Sequence, residues 1–385
     1  MQFKIINVSD IKGFHLGNAE DKSAGTGCTV IISDEGAISG VDVRGGAPST
    51  RETDLLKSEN TVQKVNAVVI SGGSSFGLEA SSGVMNYLEK KNIGYILDDI
   101  RVPIVCAASL FDLNVGSSKI RPDREMGEAA CLNAYDGIFS GGNFGAGTGT
   151  SVGKIYGIDR AMKTGLGTFA CKIDELEIGA VAAVNAVGDI YDGDNKIIAG
   201  PLSEDGSKIM STMMAHKERI FGYVNNNFEE DADFNMDSEE TEVIREEQSI
   251  LKIEGRNGEG ILPVPDNSKP NEIQVLDGDI TFGDEDDMIF NTTISCLMTN
   301  AKLTKPEANK LASILHDAYA RAIKPVHSSL DGDTVFVMTT SEVEVDFDSF
   351  AALSTDILQY AIIDSARNAN PAYGLKSARS FNKED

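Results

Sequence analysis

Apolar residues run almost unbroken from Val65 to Ile70, and a Gly- and Ser-rich turn, Ser71 to Gly77, ends the run. A continuous apolar stretch of this length between turn signals predicts a strand buried on both faces. The pattern then changes to Leu78, Val84, Met85 and Leu88 on one side of a helix over 78–91. Ile178 to Val187 is again continuous and predicts a central strand, with Asn185 polar where the pattern asks for an apolar residue. After Asn291-Thr292-Thr293, the residues Ile294, Cys296, Leu297 and Met298 open another buried strand. Thr304 predicts a helix start, with Pro306 in the first turn and Glu307 completing a capping box. Leu311, Ile314, Leu315, Ala318 and Ala322 supply that helix's apolar face. A loop over 325–333 leads to a strand, Thr334 to Thr340, and a helix over 349–368 follows with Phe350, Leu353, Ile357, Leu358 and Ala361 inward.

One segment breaks the pattern. Between Glu229 and Glu247 lie ten acidic residues and one Arg, and Gly- and Pro-bearing turns follow to Pro270. Residues 222–290 therefore read as an acidic flexible segment, set directly before Thr292. The 385 residues are 41% hydrophobic and 24% charged, enough for a sizeable globular core. A formal net charge of −26 repels phosphate backbones and anionic lipid, so neither nucleic acid nor a membrane is an expected partner. No signal-peptide pattern opens the chain, and no apolar run is long enough to span a bilayer. Cys28, Cys106, Cys131, Cys171 and Cys296 are scattered without Cys-x-x-Cys spacing, which points to reduced thiols and a cytoplasmic location. His15, His216, His316 and His327 form no metal-binding spacing.

Candidate chemistry gathers at four places. A cut before Thr292 would give one residue both a hydroxyl and a free α-amine, whose reference pKa of about 8 lets it serve as base for its own Oγ. Gly73-Ser-Ser-Phe-Gly77 fits a nucleophile elbow with Ser75, and His316 or His327 as partner. No oxyanion motif accompanies it, so a packing turn is the better reading. Gly145-Ala-Gly-Thr-Gly-Thr-Ser-Val-Gly-Lys154 resembles a phosphate loop but carries Thr148 and Ile155 where that motif needs Gly and Ser or Thr. It reads instead as a Gly-rich turn delivering Lys154 to a pocket. Asp331-Gly332-Asp333 is either an ordinary turn or a pair of carboxylates sharing a proton.

Together these stretches, with Val43 to Asp54 and Val184-Asn-Ala-Val-Gly-Asp189, resemble the L-aminopeptidase/D-esterase (DmpA-like) peptidase family, particularly its branch similar to nylon-oligomer hydrolases. The resemblance covers most of the chain except 222–290. It implies an α/β (α+β) fold, a four-layer αββα sandwich resembling N-terminal-nucleophile hydrolases. It also implies a precursor cut between Asn291 and Thr292 into an α part, 1–291, and a β part, 292–385, interwoven in one domain. Carried over by position, Thr292 is the nucleophile, Lys154 and Asn185 stand beside it, and Asp331 and Asp333 support it. Asn185 is then the expected oxyanion donor, and Phe111 and Gly147 are expected to line the substrate site. The family often places a Tyr in the segment matching Ser109 to Asp112, so Phe111 lacks a hydroxyl that could meet substrate. The implied substrate is a small peptide, amide or oligoamide, with no metal or organic cofactor, and the implied assembly is a homo-oligomer, a tetramer of αβ units. Two alternatives to the self-cleaving hydrolase stay open: an α/β-hydrolase-like serine esterase using Ser75, and a non-catalytic small-molecule binding protein of the same fold.

Overall fold

The computed structural model describes residues 3–230 and 291–381. Contacts divide the chain into a main body, Met1–Glu218 with Ile289–Asp385, and a second unit, Arg219–Met288. In the main body ten strands pair continuously: β1 (Phe3–Ile5), β2 (His15–Asp21), β3 (Thr26–Val43), β4 (Thr50–Arg51), β5 (Lys64–Ser71), β6 (Val105–Ser109), β7 (Leu166–Ile173), β8 (Leu176–Asn185), β9 (Thr292–Ala301) and β10 (Thr334–Val343). Their order is β1-β7-β8-β9-β10-β3-β5-β6-β4, with β2 on β3. The helices are α1 (Ala80–Lys90), α2 (Arg124–Tyr135), α3 (Thr212–Glu230), α4 (Lys305–Ala322) and α5 (Phe347–Arg367).

Pairing is continuous because β3 belongs to two layers. Its first half, Cys28 to Ile32, pairs with β5, and its second half, Ile38 to Val43, pairs with β10. The register slips between Ile32 and Ala37, an irregularity of the kind that bends a strand. Three separate apolar clusters follow from period-two alternation. Ile294, Cys296 and Met298 of β9 meet Val68 and Ile70 of β5 and Cys106 of β6 in the middle cluster. Leu297 of β9 and Val335 and Val337 of β10 turn the other way, onto Leu311 and Leu315 of α4 and Leu358 of α5. Ala67 and Val69 of β5 turn outward onto Val84 and Leu88 of α1 and Ala130 of α2. Two helix layers thus enclose two sheet layers, the expected αββα sandwich.

β9 is buried along all ten residues, antiparallel to β8 and parallel to β10. Parallel neighbours need a crossover, and α4 supplies it. Thr304 caps α4 with Glu307 in the expected capping box. Two expectations are corrected. The first turn after Ser71 is a 3-10 helix, Ser74–Glu79, so α1 starts only at Ala80. The acidic segment does not begin as a loop at 222: α3 runs on to Glu230. Residues 231–290 lie outside the described residues. Among the described residues no helix is long and apolar enough to cross a membrane.

Candidate active site

Strand pairing creates the site. β8 ends at Asn185 and β9 begins at Thr292, and these two residues are partners in the ladder. Immediately before β9, Asn291 bridges to Asp331. Its backbone N–H donates to the Leu330 carbonyl at 3.0 Å, and its own carbonyl accepts from the Gly332 N–H at 2.9 Å. The Thr292 hydroxyl also donates to that carbonyl oxygen. The bond between Asn291 and Thr292 is therefore held at the junction of three strands, with its oxygen facing a backbone donor.

The loop before β10 brings in the two carboxylates. Asp333 Oδ1 accepts from the Thr293 N–H at 2.7 Å, and Oδ2 lies 2.8 Å from His327 Nδ1. Asp331 Oδ2 accepts from the Ser328 N–H at 2.6 Å, while its buried Oδ1 has no hydrogen-bond partner among the described residues. Burial, followed by the Asp333 charge, pushes the Asp331 carboxyl up to about 6, and Lys154 opposes that shift. This loop is tightly seated. The Ala47 N–H donates to the Asp331 carbonyl at 2.7 Å, and a Cβ on Gly45 would fall 2.2 Å from the same oxygen. The Arg44-Gly45-Gly46-Ala47 motif is thus a cradle for the carboxylate loop.

Lys154 is buried rather than solvated. Gly153, at φ 72°, supplies the left-handed turn that aims it inward. Its Nζ donates to Asn185 Oδ1 at 2.7 Å and to the Asn185 carbonyl at 3.1 Å. Burial pushes this amine down to about 7, with Asp331 and then Asp112 pulling it back up. The same Oδ1 accepts from the Ser151 N–H at 3.1 Å, and the Asn185 amide donates to the Phe111 carbonyl at 2.7 Å. Phe111 thus meets the site through its backbone. Gly147 is buried against Leu166 N, which a Cβ would approach to 2.1 Å, and its carbonyl accepts from Lys163 Nζ at 2.9 Å.

Sequence reasoning missed Gly332, Asp112, Lys163 and His327 as parts of this cluster. Asp112 is held by the Gly73 N–H at 2.7 Å and the Thr26 hydroxyl at 2.8 Å, and burial pushes its carboxyl up to about 6. A Cβ on Gly72 would sit 2.0 Å from Asp112 Oδ2, which explains the paired glycines of that turn. Ser75, by contrast, is exposed. The two histidines offered to it are engaged elsewhere: His327 on Asp333, and His316 at 3.2 Å from the Asp42 carbonyl. The elbow is a packing turn. Among the described residues no three His, Cys, Asp or Glu side chains converge as a metal cage requires. A surface cavity of about 550 Å³ is lined by Lys64, Lys302 and Lys305, at the opposite end of β9 from Thr292.

Thr292 is 4% exposed, and Lys154, Asn185, Asp331 and Asp333 are each 1% exposed, so the whole cluster is buried. It brings together a hydroxyl, the carbonyl next to it, one N–H donor, and an amine and a carboxyl both brought near neutrality.

The model of peptidase family S58 matches residues 7–379. An uncharacterised aminopeptidase of Mycobacterium leprae is 31% identical over 354 residues, covering 88% of this chain and 79% of its own. A 6-aminohexanoate-oligomer endohydrolase of Kocuria sp. is 26% identical over 371 residues, 93% of this chain and 85% of its own. The L-aminopeptidase D-Ala-esterase/amidase of Ochrobactrum anthropi, described as a variant of the Ntn hydrolase fold, superposes with a TM-score of 0.57. The overlap covers 94% of this chain and 86% of that one at 15% identity, which speaks for the fold alone.

Proposed function

Since this chain belongs to peptidase family S58 and is an amide-bond hydrolase, we propose that it cuts itself between Asn291 and Thr292 and then works with Thr292 as nucleophile. The observation that carries this reading is the Asn291 carbonyl, which faces the Gly332 N–H at 2.9 Å and accepts from the Thr292 hydroxyl. Thr292 Oγ attacks the Asn291 carbonyl carbon and gives up its proton to Asp331 Oδ1. The oxyanion that forms is met by the Gly332 N–H and by the field of the Lys154 ammonium. Collapse breaks the C–N bond, and Asp331 returns the proton to the departing Thr292 nitrogen. Water then hydrolyses the resulting ester, freeing the Asn291 carboxylate and restoring the Thr292 hydroxyl.

In the mature enzyme the Thr292 α-amine takes over as base for its own Oγ. Lys154, positioned by Asn185, favours the unprotonated amine and the developing alkoxide. An amide nitrogen carries two N–H bonds, so Asn185 can hold the Phe111 carbonyl and still offer one donor to a substrate oxyanion. Because β9 lies between β8 and β10, the cut divides one interwoven domain rather than two separate ones. The names of the relatives support a small peptide, amide or linear oligoamide as substrate. Five free, buried cysteines support a cytoplasmic location, and the family likeness supports a homo-oligomer of αβ units.

Denaturing gels and amino-terminal sequencing of fresh protein test this reading. Two fragments are expected, the smaller beginning at Thr292, while Thr292→Ala stays whole. Cleavage in Thr292→Ala, or amide hydrolysis by a chain with only its original amino end, overturns it.

A further inference from the structure

Behind the carboxylate pair lies an aromatic cluster, His316 and Tyr319 buried and His327 half-buried, that the mechanism above does not use. The His327 ring is edge-on to His316 of α4, centroids 4.7 Å apart, and stacked on Tyr319 of α4 at 5.9 Å. Its backbone is left-handed at φ 59°, uncommon outside glycine, and that conformation turns both its N–H and its ring toward Asp333. Asp333 Oδ2 lies 3.2 Å from the His327 N–H and 2.8 Å from Nδ1. Oδ1 is taken by the Thr293 N–H at 2.7 Å. A carboxylate already accepting two backbone donors is an acceptor at Nδ1 as well, so the Nδ1–H tautomer is the one that fits. Nε2 is buried without a hydrogen-bond partner among the described residues. A ring chosen only for packing against Tyr319 would need neither the strained backbone nor the Nδ1 contact.

We propose that His327 is a positioning residue for self-cleavage: its Nδ1–H and backbone N–H hold Asp333 against the Thr293 N–H, so that the one carboxylate oxygen of the pair left open for the mobile proton is Oδ1 of Asp331. The inference rests on the Thr292 reading given above. Two links follow from it. Asp333, fixed by His327, holds the Thr293 N–H, and so the backbone beside the nucleophile, in place. Its charge also raises the proton affinity of Asp331. Among the described residues, the other ionisable groups around this cluster are His316 and Tyr319 on α4, Asp42 on β3 and Arg44 just after it, and Lys154 of the Gly-rich loop. Burial, with the neighbouring imidazole adding to it, pushes His316 down to about 4, so it stays uncharged through the range that matters. Tyr319 is buried and pushed well above its ordinary value, so it too keeps its proton.

His327→Asn and His327→Gln separate this role from packing. The Asn amide can stand where Nδ1 does, whereas the Gln amide reaches toward Nε2. Chains made by cell-free synthesis are chased between about pH 5 and about pH 9, and loss of the full-length band gives the rate. His327→Asn is expected within about threefold of wild type with its acid limb unmoved, and His327→Gln at least about tenfold slower. Losing the donor to the charged form makes the pair easier to protonate, so the acid limb of His327→Gln moves to higher pH. If wild type cuts but both variants match it, or both slow equally with unmoved limbs, the positioning role is overturned while the Thr292 reading stands. If wild type itself stays whole at every pH, the Thr292 reading fails and the inference with it.

Discussion

Two buried groups of opposite sign, Lys154 and Asp331, have their proton equilibria pushed toward each other, and this sets the residue-scale behaviour of the site. Burial brings the amine down to about 7 and the carboxyl up to about 6. Asp331 must be ionised to accept the Thr292 proton, and Lys154 must be charged to favour the oxyanion. Self-cleavage should therefore rise through about 6, fall above about 7, and be greatest between. Lys154→Arg cannot lose its charge near neutrality, so whatever rate it retains should lack the alkaline limb. A chase across pH checks this, and an alkaline limb that persists in Lys154→Arg would assign it to another group. Gly332 sets a second limit. A Cβ there would fall 2.8 Å from Thr292 Oγ and 2.8 Å from the Ala47 carbonyl, moving the N–H that meets the Asn291 oxygen. Gly332→Ala should slow cleavage by about a hundredfold, the usual loss for one oxyanion donor, as measured by the same chase. Wild-type rates in that variant would remove Gly332 from the mechanism.

At the scale of elements, sequence pattern was most readable where a local rule acts alone. Thr304 and Glu307 announce α4 through bonds within four residues, and the Thr304 N–H does donate to Glu307 Oε2 at 2.8 Å. Thr304→Ala should cost about 1 kcal/mol, read by urea denaturation of the uncut Thr292→Ala chain, and leave the cleavage rate unchanged. The strand runs at Val65, Ile178, Ile294 and Thr334 were legible for a similar reason, since strands buried on both faces show as continuous apolar runs. Family motifs marked Thr292, Lys154, Asn185 and the Asp pair. What was hidden depends on register. Nothing near Tyr319 in the sequence says that its hydroxyl lies 2.9 Å from Ser295 Oγ and 3.1 Å from the Thr334 carbonyl, at the starts of β9 and β10. His327 was equally hidden: six residues from Asp333, it reads as a loop residue until the chain turns left-handed there. Gly332 gives no sign of its place beside the Asn291 carbonyl, because a backbone N–H leaves no mark on residue type.

For the whole molecule, the buried lysines predict an unusual dependence of stability on pH. Lys163 is fully buried, its Nζ on the Gly147 carbonyl at 2.9 Å and on the Thr164 carbonyl, and burial pushes its amine down to about 7 from an ordinary 10.5. Lys154 behaves alike. An amine whose folded pKa lies below its unfolded value binds its proton more tightly in the unfolded chain. Stability therefore increases as pH climbs from about 7, where folded Lys163 gives up its proton, toward 10.5, where the unfolded one does. The buried carboxyls of Asp112, Asp189 and Asp331, pushed up to about 6, have finished titrating below this window. The thiols act in the opposite sense only higher up: burial pushes Cys106 and Cys131 up to about 12 from 9.0, which removes stability above about 9. Between about pH 7.5 and about pH 8.5 each lysine should add at most about 1.4 kcal/mol of unfolding free energy per pH unit. Lys163→Met keeps the length of the side chain, loses its charge, and strands two carbonyls, a penalty that does not change with pH. Its absolute stability should therefore drop while its pH slope falls by about one lysine's share. Urea denaturation of the Thr292→Ala chain, with and without Lys163→Met, reads both quantities without interference from cleavage. Parallel slopes would mean that Lys163 keeps its proton in the folded protein, and that the fold supplies a counter-charge strong enough to outweigh complete burial.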